Sequence, residues 1–459
     1  MGRRGWLLRY FSAGKTVRFS AMQIIALVFL AIILLGTLLL SLPVASRSGH
    51  SCGLMPALFT ATSATCVTGL SFFDTWTQWS GFGQVVILCM IELGGLGFMS
   101  AAALIIFVLH KRVGLKQRMV MAQALSQTDL DGIVNLQKTV LFGSLLIQFT
   151  GAAVLALRFG PDYGWRRAVC WGVFHSVSAF CNAGFDIFGV LEPGTSLMLF
   201  NDDPVVLLTI SALIILGGLG FFVWQEVAQK RRWKDFGVYT KLVLLTTMVL
   251  LIVGWIAFCI LEWNNPATLG SMNAGQKVLN AFFQSVTTRT AGFASIDQAG
   301  LTESGKAVTI ILMLIGGSSG STAGGMKTVT LVTLILFIWS QLRGKERVNI
   351  FRRSIPLRQV LDAMTVAALM LGLSILGGIL ISAMSSVSFV DALYESASAL
   401  ATVGLTTGVT AVLTVPAQIL IIIYMYFGRV GILTLSLGFL IGNRADERFS
   451  YAQTNLLIG

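Results

Sequence analysis

The sequence predicts an all-α membrane protein in which four related helix–short helix–helix units stand pseudo-four-fold around a central axis. Three observations predict this fold. Of the 459 residues 55% are hydrophobic and only 11% are charged, long apolar runs recur along the chain, and one short phrase occurs four times. Soluble domains carry about 25% charged residues. The chain is therefore expected to lie within a lipid bilayer.

Eight apolar runs are long enough, or nearly so, to cross ~30 Å of hydrocarbon as helices. The first run is too long for the core of a signal peptide, and no small-residue cleavage site follows closely behind it. We therefore expect a multi-pass protein with eight spans. The runs cover 22–42, 85–109, 140–157, 205–224, 242–261, 308–338, 366–383 and 419–440.

The net charge of +12 follows the predicted topology. Of the 32 Lys and Arg residues, 23 fall in five short segments: 3–18, 110–138, 230–241, 343–358 and the tail after 442. The positive-inside rule places these segments, and with them both termini, in the cytoplasm. Nucleic-acid binding is disfavoured because the charges are divided among short loops beside the membrane.

The repeated phrase ends each time at a glycine: Gly69, Gly184, Gly292 and Gly404. An aromatic residue precedes each glycine by ten positions, Leu or Phe follows it, and the glycines are 115, 108 and 112 residues apart. The phrases cannot span, since ~20 residues are needed. Their Ser and Thr side chains are costly in lipid, so each phrase is read as a re-entrant helix that stops at mid-depth inside the protein.

The helices that return after each phrase share a second landmark. Its first glycine, Gly94, Gly316 or Gly428, lies 25, 24 and 24 residues after the phrase glycine in units one, three and four, and Gly217 lies 33 after it in unit two. In units one and two these glycines predict close helix packing. The predicted organisation is an N-terminal arm (1–19), repeats at 20–112, 136–230, 240–342 and 358–442, and a C-terminal tail (443–459).

The phrase has the parts of a cation filter. Rings of backbone carbonyls can replace the hydration shell of a potassium ion. Glycine reaches the backbone angles that such a ring needs, and the C-terminal end of a short helix favours a cation. We therefore predict a central ion pore that binds no metal other than potassium at the filter. The predicted filter residues are Cys66, Val67, Thr68, Gly69, Cys181, Asn182, Ala183, Gly184, Thr290, Ala291, Gly292, Thr402, Val403 and Gly404.

Arg289 stands three residues before the third filter glycine. A positive charge in the ion path would repel the ion, so we expect its side chain to point behind the filter. There it is expected to donate to carbonyls or to an acidic partner. Only the glycine is common to all four phrases, and the second glycine of the tetrameric channel signature is missing, which predicts fewer ion sites and looser selectivity.

The returning helix of unit three is interrupted by small and polar residues that cannot form a stable lipid-facing helix. We predict an intramembrane gate there. It is not a phosphate loop, because Met326 separates the last glycine from Lys327. The predicted gate residues are Gly316, Gly317, Ser318, Ser319, Gly320, Ser321, Thr322, Ala323, Gly324, Gly325 and Lys327, together with Arg429.

Arg429 lies within the fourth returning helix, at the position that Gly95, Gly218 and Gly317 hold in the other units. An intramembrane charge is a functional candidate by default. Two roles are open: Arg429 holds the gate through hydroxyls and carbonyls, or it forms a structural ion pair with Glu92.

These motifs resemble the Trk/Ktr/HKT superfamily of potassium transporters over nearly the whole chain. The resemblance rests on 66–70, 182–186, 288–293, 402–406 and 316–328. The eight predicted spans and short N-terminal arm resemble the Ktr branch rather than the Trk branch, which has extra N-terminal helices. Cys66 departs from the pattern, since the family usually has threonine there.

The resemblance implies potassium uptake across the bacterial plasma membrane by a homodimer with one pore per subunit. It implies a cytoplasmic partner, a ring of KtrA-type RCK subunits that bind nucleotide, and no covalently bound cofactor on this chain. Sodium dependence is a trait of some members.

The sequence disfavours two other classes of function. A membrane-embedded enzyme requires a convergent catalytic set, and no HExxH, GxSxG or paired-carboxylate pattern occurs in the apolar runs. An inverted-repeat secondary transporter of another cation requires two halves of opposite orientation. All four units begin on the basic side of the membrane, which favours the channel-like ring.

Overall fold

The computed structural model describes residues 21–97, 133–345 and 347–431. The predicted N-terminal arm, the C-terminal tail and the ends of repeats 1 and 4 lie outside this part of the chain. The described residues form helices and one antiparallel hairpin of β1 (Asn349–Ile350) and β2 (Arg353–Ser354). The helices are α1 (Ala21–Ser41), α2 (Leu54–Thr65), α3 (Thr75–Gln78), α4 (Gly81–Gly95), α5 (Ile133–Tyr163), α6 (Trp165–Phe180), α7 (Pro204–Leu219), α8 (Phe221–Lys230), α9 (Val238–Glu262), α10 (Ala274–Thr287), α11 (Glu303–Leu314), α12 (Thr328–Leu342), α13 (Leu357–Ser385), α14 (Phe389–Leu400) and α15 (Val415–Val430).

The first helix of every predicted repeat is long and continuous. Among the described residues, α1, α5, α9 and α13 are the four helices long and apolar enough to cross a membrane. Their outer faces carry exposed apolar side chains such as Leu38, Phe149 and Ile260, which are 63%, 73% and 73% exposed. Contiguous apolar surface of this kind is suited to contact with lipid.

Among the described residues the returning helices are shorter than the first helices or are broken, and the break in unit two was not expected. α7 and α8 meet at an angle of 94° at Gly220, so the prediction of one straight span over 205–224 is wrong. Gly220 has φ +94°, a left-handed conformation that costs glycine nothing and ends a helix. α4 and α15 end just before Gly97 and Gly431, which also have positive φ. α11 and α12 are separated by the 316–325 region, as predicted.

The four phrases form short buried helices, α2, α6, α10 and α14, of 12 to 16 residues. Each packs against the long helix that precedes it. Three serines of these helices donate to carbonyls of that long helix: Ser176 to Gln148 at 2.6 Å, Ser285 to Leu251 at 2.8 Å and Ser396 to Ser374 at 2.9 Å. These three hydroxyls are thus paired inside the protein, as most buried polar groups are.

Candidate functional site: a glycine ring and the segment beneath it

The four phrase glycines lie side by side in a closed ring. A Cβ atom on Gly69 would stand 2.5 Å from the Ala183 carbonyl oxygen, and one on Gly184 would stand 2.8 Å from that of Ala291. The series continues from Gly292 to the Val403 oxygen and closes from Gly404 to the Thr68 oxygen. Only glycine fits at these positions, because any side chain would collide with the backbone of the next unit.

The backbone before each glycine has the same unusual shape in all four units. Val67, Asn182, Thr290 and Thr402, two residues before the glycines, have φ of +57°, +58°, +67° and +51°. Non-glycine residues rarely adopt this conformation, and such strain persists only where the surroundings enforce it. The residue between these two left-handed positions supplies the carbonyl that meets the neighbouring glycine. The four segments therefore present backbone oxygens around one axis.

Each segment is fastened to its own short helix. The backbone N–H of Thr68, Ala183 and Val403 donates to the carbonyl of Ser63, Ser178 and Ser398 respectively, each at 2.8 Å. The hydroxyls of Ser63 and Ser398 accept from the N–H of the glycine that follows, at 3.0 Å. Those of Ser178 and Thr287 donate to the carbonyls of Phe185 and Phe293 at 2.7 and 2.6 Å. These serines and threonines are the polar residues that mark the phrase in the sequence.

The landmark glycines of the returning helices seat the ends of the short helices. A Cβ on Gly94, Gly217 or Gly428 would collide with the carbonyl oxygen of Thr65, Phe180 or Leu400. These three carbonyls belong to the last residues of α2, α6 and α14. In these three units the landmark glycine of the returning helix therefore contacts the end of the short helix in the same unit. The close-packing interpretation agrees with this contact in units one and two, although unit two also bends at Gly220.

A cavity of about 350 Å³ opens on the side of the residues that follow the glycines. All four ring glycines line it, together with Asp74, Asp186 and Asp297. Burial, together with the nearby Asp74 carboxylate, raises the pKa of the Asp186 carboxyl to about 7. Sequence reasoning did not single out these carboxylates, although Asp186 follows Gly184 by two residues. We call this space the acidic cavity.

The predicted gate residues 316–325, here called the gate segment, lie on the opposite side of the ring. Thr322 donates from its N–H to the Gly217 carbonyl at 3.2 Å and from its hydroxyl to the Phe180 carbonyl at 3.0 Å. Gly324 lies against the carbonyl of Ala401 and the hydroxyl of Thr402. The segment thus packs directly beneath the second and fourth filter segments.

The gate segment is an ordered loop closed by its own hydrogen bonds. Gly316 N–H donates to the Met326 carbonyl at 2.9 Å, and Thr328 N–H donates to the Gly317 carbonyl at 3.1 Å. Lys327 Nζ donates to the Ala323 carbonyl at 2.9 Å. On the face away from the ring, the Ser319 carbonyl accepts from the Tyr239 hydroxyl at 3.0 Å.

Arg429 joins the gate segment to the first returning helix. Its Nη1 donates to the Thr322 carbonyl at 2.5 Å, and its Nη2 donates to the carbonyls of Gly95, at 3.0 Å, and Gly94. Within the described ranges it forms no ion pair with Glu92. The Glu92 carboxylate instead accepts from Gln148 Nε2 at 2.9 Å and Cys181 Sγ at 3.3 Å. Of the two predicted roles for Arg429, the contacts match the one in which it holds the gate segment.

The Arg289 side chain reaches the first residue of the gate segment. Its Nη2 donates to the carbonyl of Gly316 at 3.2 Å, and its side chain is 7% exposed. The third unit therefore differs from the others, because its landmark glycine lies against Gly324 rather than the end of a short helix, and the carbonyl of this glycine accepts from Arg289.

Comparison with known proteins identifies the group to which this architecture belongs. Residues 11–451 match the family model TrkH, described as cation transport protein. The chain belongs to the TrkH family of cation transport proteins. The family transports ions and does not catalyse a reaction, which agrees with the prediction that the chain is not an enzyme.

Relatives are similar over nearly their whole length. The chain is 40% identical to the potassium/sodium uptake protein NtpJ of Enterococcus hirae, covering 96% of this chain and 98% of that protein. It is 40% identical to the Ktr system potassium uptake protein B of Bacillus subtilis, covering 95% and 96%. The fold is shared with the crystal structure of the potassium transporter TrkH from Vibrio parahaemolyticus, with a TM-score of 0.68 over 94% of this chain and 86% of that one, at 20% identity.

Proposed function

We propose that the chain is the KtrB-type, ion-translocating subunit of a potassium uptake system in the bacterial plasma membrane. The observation that carries the proposal is the closed ring of four glycines at the floor of the acidic cavity. Potassium enters from that cavity, loses water to the carbonyls beside the ring, and passes toward the cytoplasm. A ring of carbonyls performs this exchange without any bound cofactor.

The gate segment and Arg429 control passage below the ring. The segment packs beneath the second and fourth filter segments, and the guanidinium of Arg429 fastens it to Gly94 and Gly95. In this position an ion that leaves the filter meets the loop. Movement of the segment opens the path, and Lys327 travels with it because its Nζ is bound to the loop carbonyls.

The proposed assembly is a homodimer with one pore per chain, embedded in lipid and joined to a cytoplasmic KtrA-type RCK ring that binds the regulatory nucleotide. The relatives named for a Ktr system support a multi-component transporter. The relative named for potassium and sodium uptake supports sodium as a second ion in transport. No step of the proposal involves nucleic acid.

Growth of a potassium-uptake-deficient bacterial strain at limiting potassium tests the function. The wild-type chain, expressed with its nucleotide-binding partner, is expected to restore growth. Gly292→Ser and Gly404→Ser are expected to fail, because their side chains would meet the Val403 and Thr68 carbonyls. Membrane levels of each variant are measured by immunoblot. Failure of the wild-type chain to restore growth overturns the proposal.

A further inference from the structure

Arg289 is a buried guanidinium with one hydrogen-bond acceptor. Nη2 donates to the Gly316 carbonyl, Nε has no partner, and within residues 21–97, 133–345 and 347–431 no carboxylate forms an ion pair with it. Burial of an uncompensated charge is costly. An ionisable group held at this cost inside a membrane protein points to a function rather than to packing.

Arg289 differs in residue type from the residues at the same position in the other three units. Three residues before the ring glycine, the other units carry Cys66, Cys181 and Ala401. In those units the residue before the glycine bonds to a carbonyl five residues back, whereas Ala291 bonds to Thr287, four residues back. The third filter segment is therefore anchored differently, and Arg289 lies within the part that differs.

The acceptor of Arg289 is the first residue of the gate segment. Gly316 is the counterpart of Gly94, Gly217 and Gly428, which seat the ends of short helices in the other units. In unit three a Cβ on Gly316 would instead meet Gly324 of the gate segment, and the Gly316 carbonyl accepts from Arg289 while its N–H donates to the Met326 carbonyl. A single side chain thus joins the third filter segment directly to the gate segment.

Arg289 also has free space on one side. A cavity of about 10 Å³ is lined by Arg289, Gly317 and Thr247, among mostly apolar neighbours. Arg289 Nε and the Thr247 hydroxyl both lack partners. The cavity is at the lower limit for one water, which needs at least two polar partners. Arg289 and Thr247 therefore line the same small cavity, and each has a buried polar atom without a partner.

We propose that Arg289 is a positioning residue that couples the gate to the filter. While the gate segment is seated, the Gly316 carbonyl fixes the guanidinium and with it Thr290 to Gly292. When the segment moves, Arg289 loses this acceptor and turns toward Thr247, and the third filter segment relaxes. Ion selectivity then depends on the state of the gate. This inference rests on the proposed function and extends it.

A double-mutant cycle in proteoliposomes tests the coupling. Initial rates of Rb⁺ and Na⁺ uptake are measured for the wild type, Arg289→Gln, a deletion of residues 316–324 that removes the Gly316 acceptor, and the combination. Coupling predicts that Arg289→Gln changes the Rb⁺/Na⁺ rate ratio by about threefold or more in the intact chain and has no effect in the deletion background, because interacting sites are non-additive. Equal changes in both backgrounds overturn the proposal.

Two further variants exclude simple explanations. Arg289→Lys keeps a donor and a charge near Gly316, so its Rb⁺/Na⁺ rate ratio is expected to lie between those of the wild type and Arg289→Gln. If the Gln variant does not fold, the double-mutant cycle is measured with Arg289→Lys. Arg158→Gln removes an arginine paired with Asp162 and Asp203 and is expected to leave the ratio unchanged. A change as large as that of Arg289→Gln would overturn a specific role.

The proposed function has its own readout in the same experiment. Rb⁺ uptake by wild-type proteoliposomes is compared with uptake by protein-free liposomes. If the wild type is inactive, the proposed function fails, and the coupling fails with it. If the wild type is active and the cycle is additive, only the coupling is overturned.

Discussion

The glycine ring and the level directly beneath it differ in how alike the four units are. In the ring, each unit contributes one glycine, one left-handed residue two positions earlier and one carbonyl that meets its neighbour. Beneath it, the corresponding positions hold Gly95, Gly218, Gly317 and Arg429. A carbonyl ring requires the same backbone from each contributor, whereas a gate requires a side chain or a loop in one place only.

Removal of the gate segment is expected to give the largest change in Rb⁺ flux. It tests whether the level beneath the ring controls flux. Deleting residues 317–324 takes away the loop that packs beneath Thr402 and Phe180. If the open state is at most ~10% populated, Rb⁺ flux should rise about tenfold or more. Arg429→Ala should give a smaller rise, because the loop keeps its other hydrogen bonds. Flux that stays at the wild-type level in both variants contradicts a gate.

The contacts between the landmark glycines and the ends of the short helices allow a matched test of stability. Gly217→Ala places a methyl group against the Phe180 carbonyl, and overpacking of this kind costs about 1–3 kcal/mol. Gly372→Ala, on the exposed face of α13 with no atom within 4 Å, should be neutral or stabilising by up to ~1 kcal/mol. Thermal unfolding in detergent, followed by tryptophan fluorescence, compares the two. Similar unfolding temperatures would show that the seat tolerates a side chain.

The smallest expected effect lies on the other side of the ring, in the acidic cavity. With its pKa near 7, Asp186 is neutral below that pH and negatively charged above it. The half-saturating Rb⁺ concentration should therefore rise as the outside pH falls through 7, by about threefold for one lost charge near the ion path. Asp186→Asn should remove this step. Asp74→Asn should move it to lower pH, because the Asp74 charge raises the pKa of Asp186. A step that persists in Asp186→Asn assigns it to another group.

The sequence predicts the ring better than the level below it, and the reason is physical. Gly69 and its counterparts are set by a local steric requirement, so the same residues recur wherever the backbone must come that close. The break over 316–325 is also local, because glycine and serine cannot sustain a helix in lipid. Both features can be read from a few adjacent residues.

Other features depend on contacts between distant parts of the chain. The apolar run through Gly220 is uninterrupted, so hydropathy gives no sign of the 94° bend between α7 and α8. The acceptors of Arg429 in the first unit lie 334 and 335 residues away, and spacing alone left an ion pair with Glu92 as an open alternative. The acidic cavity gathers Asp74, Asp186 and Asp297 from three loops, and each looks like an ordinary loop carboxylate in the sequence.

The presence of all four units on one polypeptide has a consequence for how such a pore can change over time. In a ring of four identical subunits every substitution occurs four times about the axis. A single arginine such as Arg429 would become four cations that face one another around the axis. Within one gene each copy accepts mutations independently. This protein can therefore keep a single off-axis charge, held by glycine carbonyls on one side of the axis, whereas a homotetramer cannot.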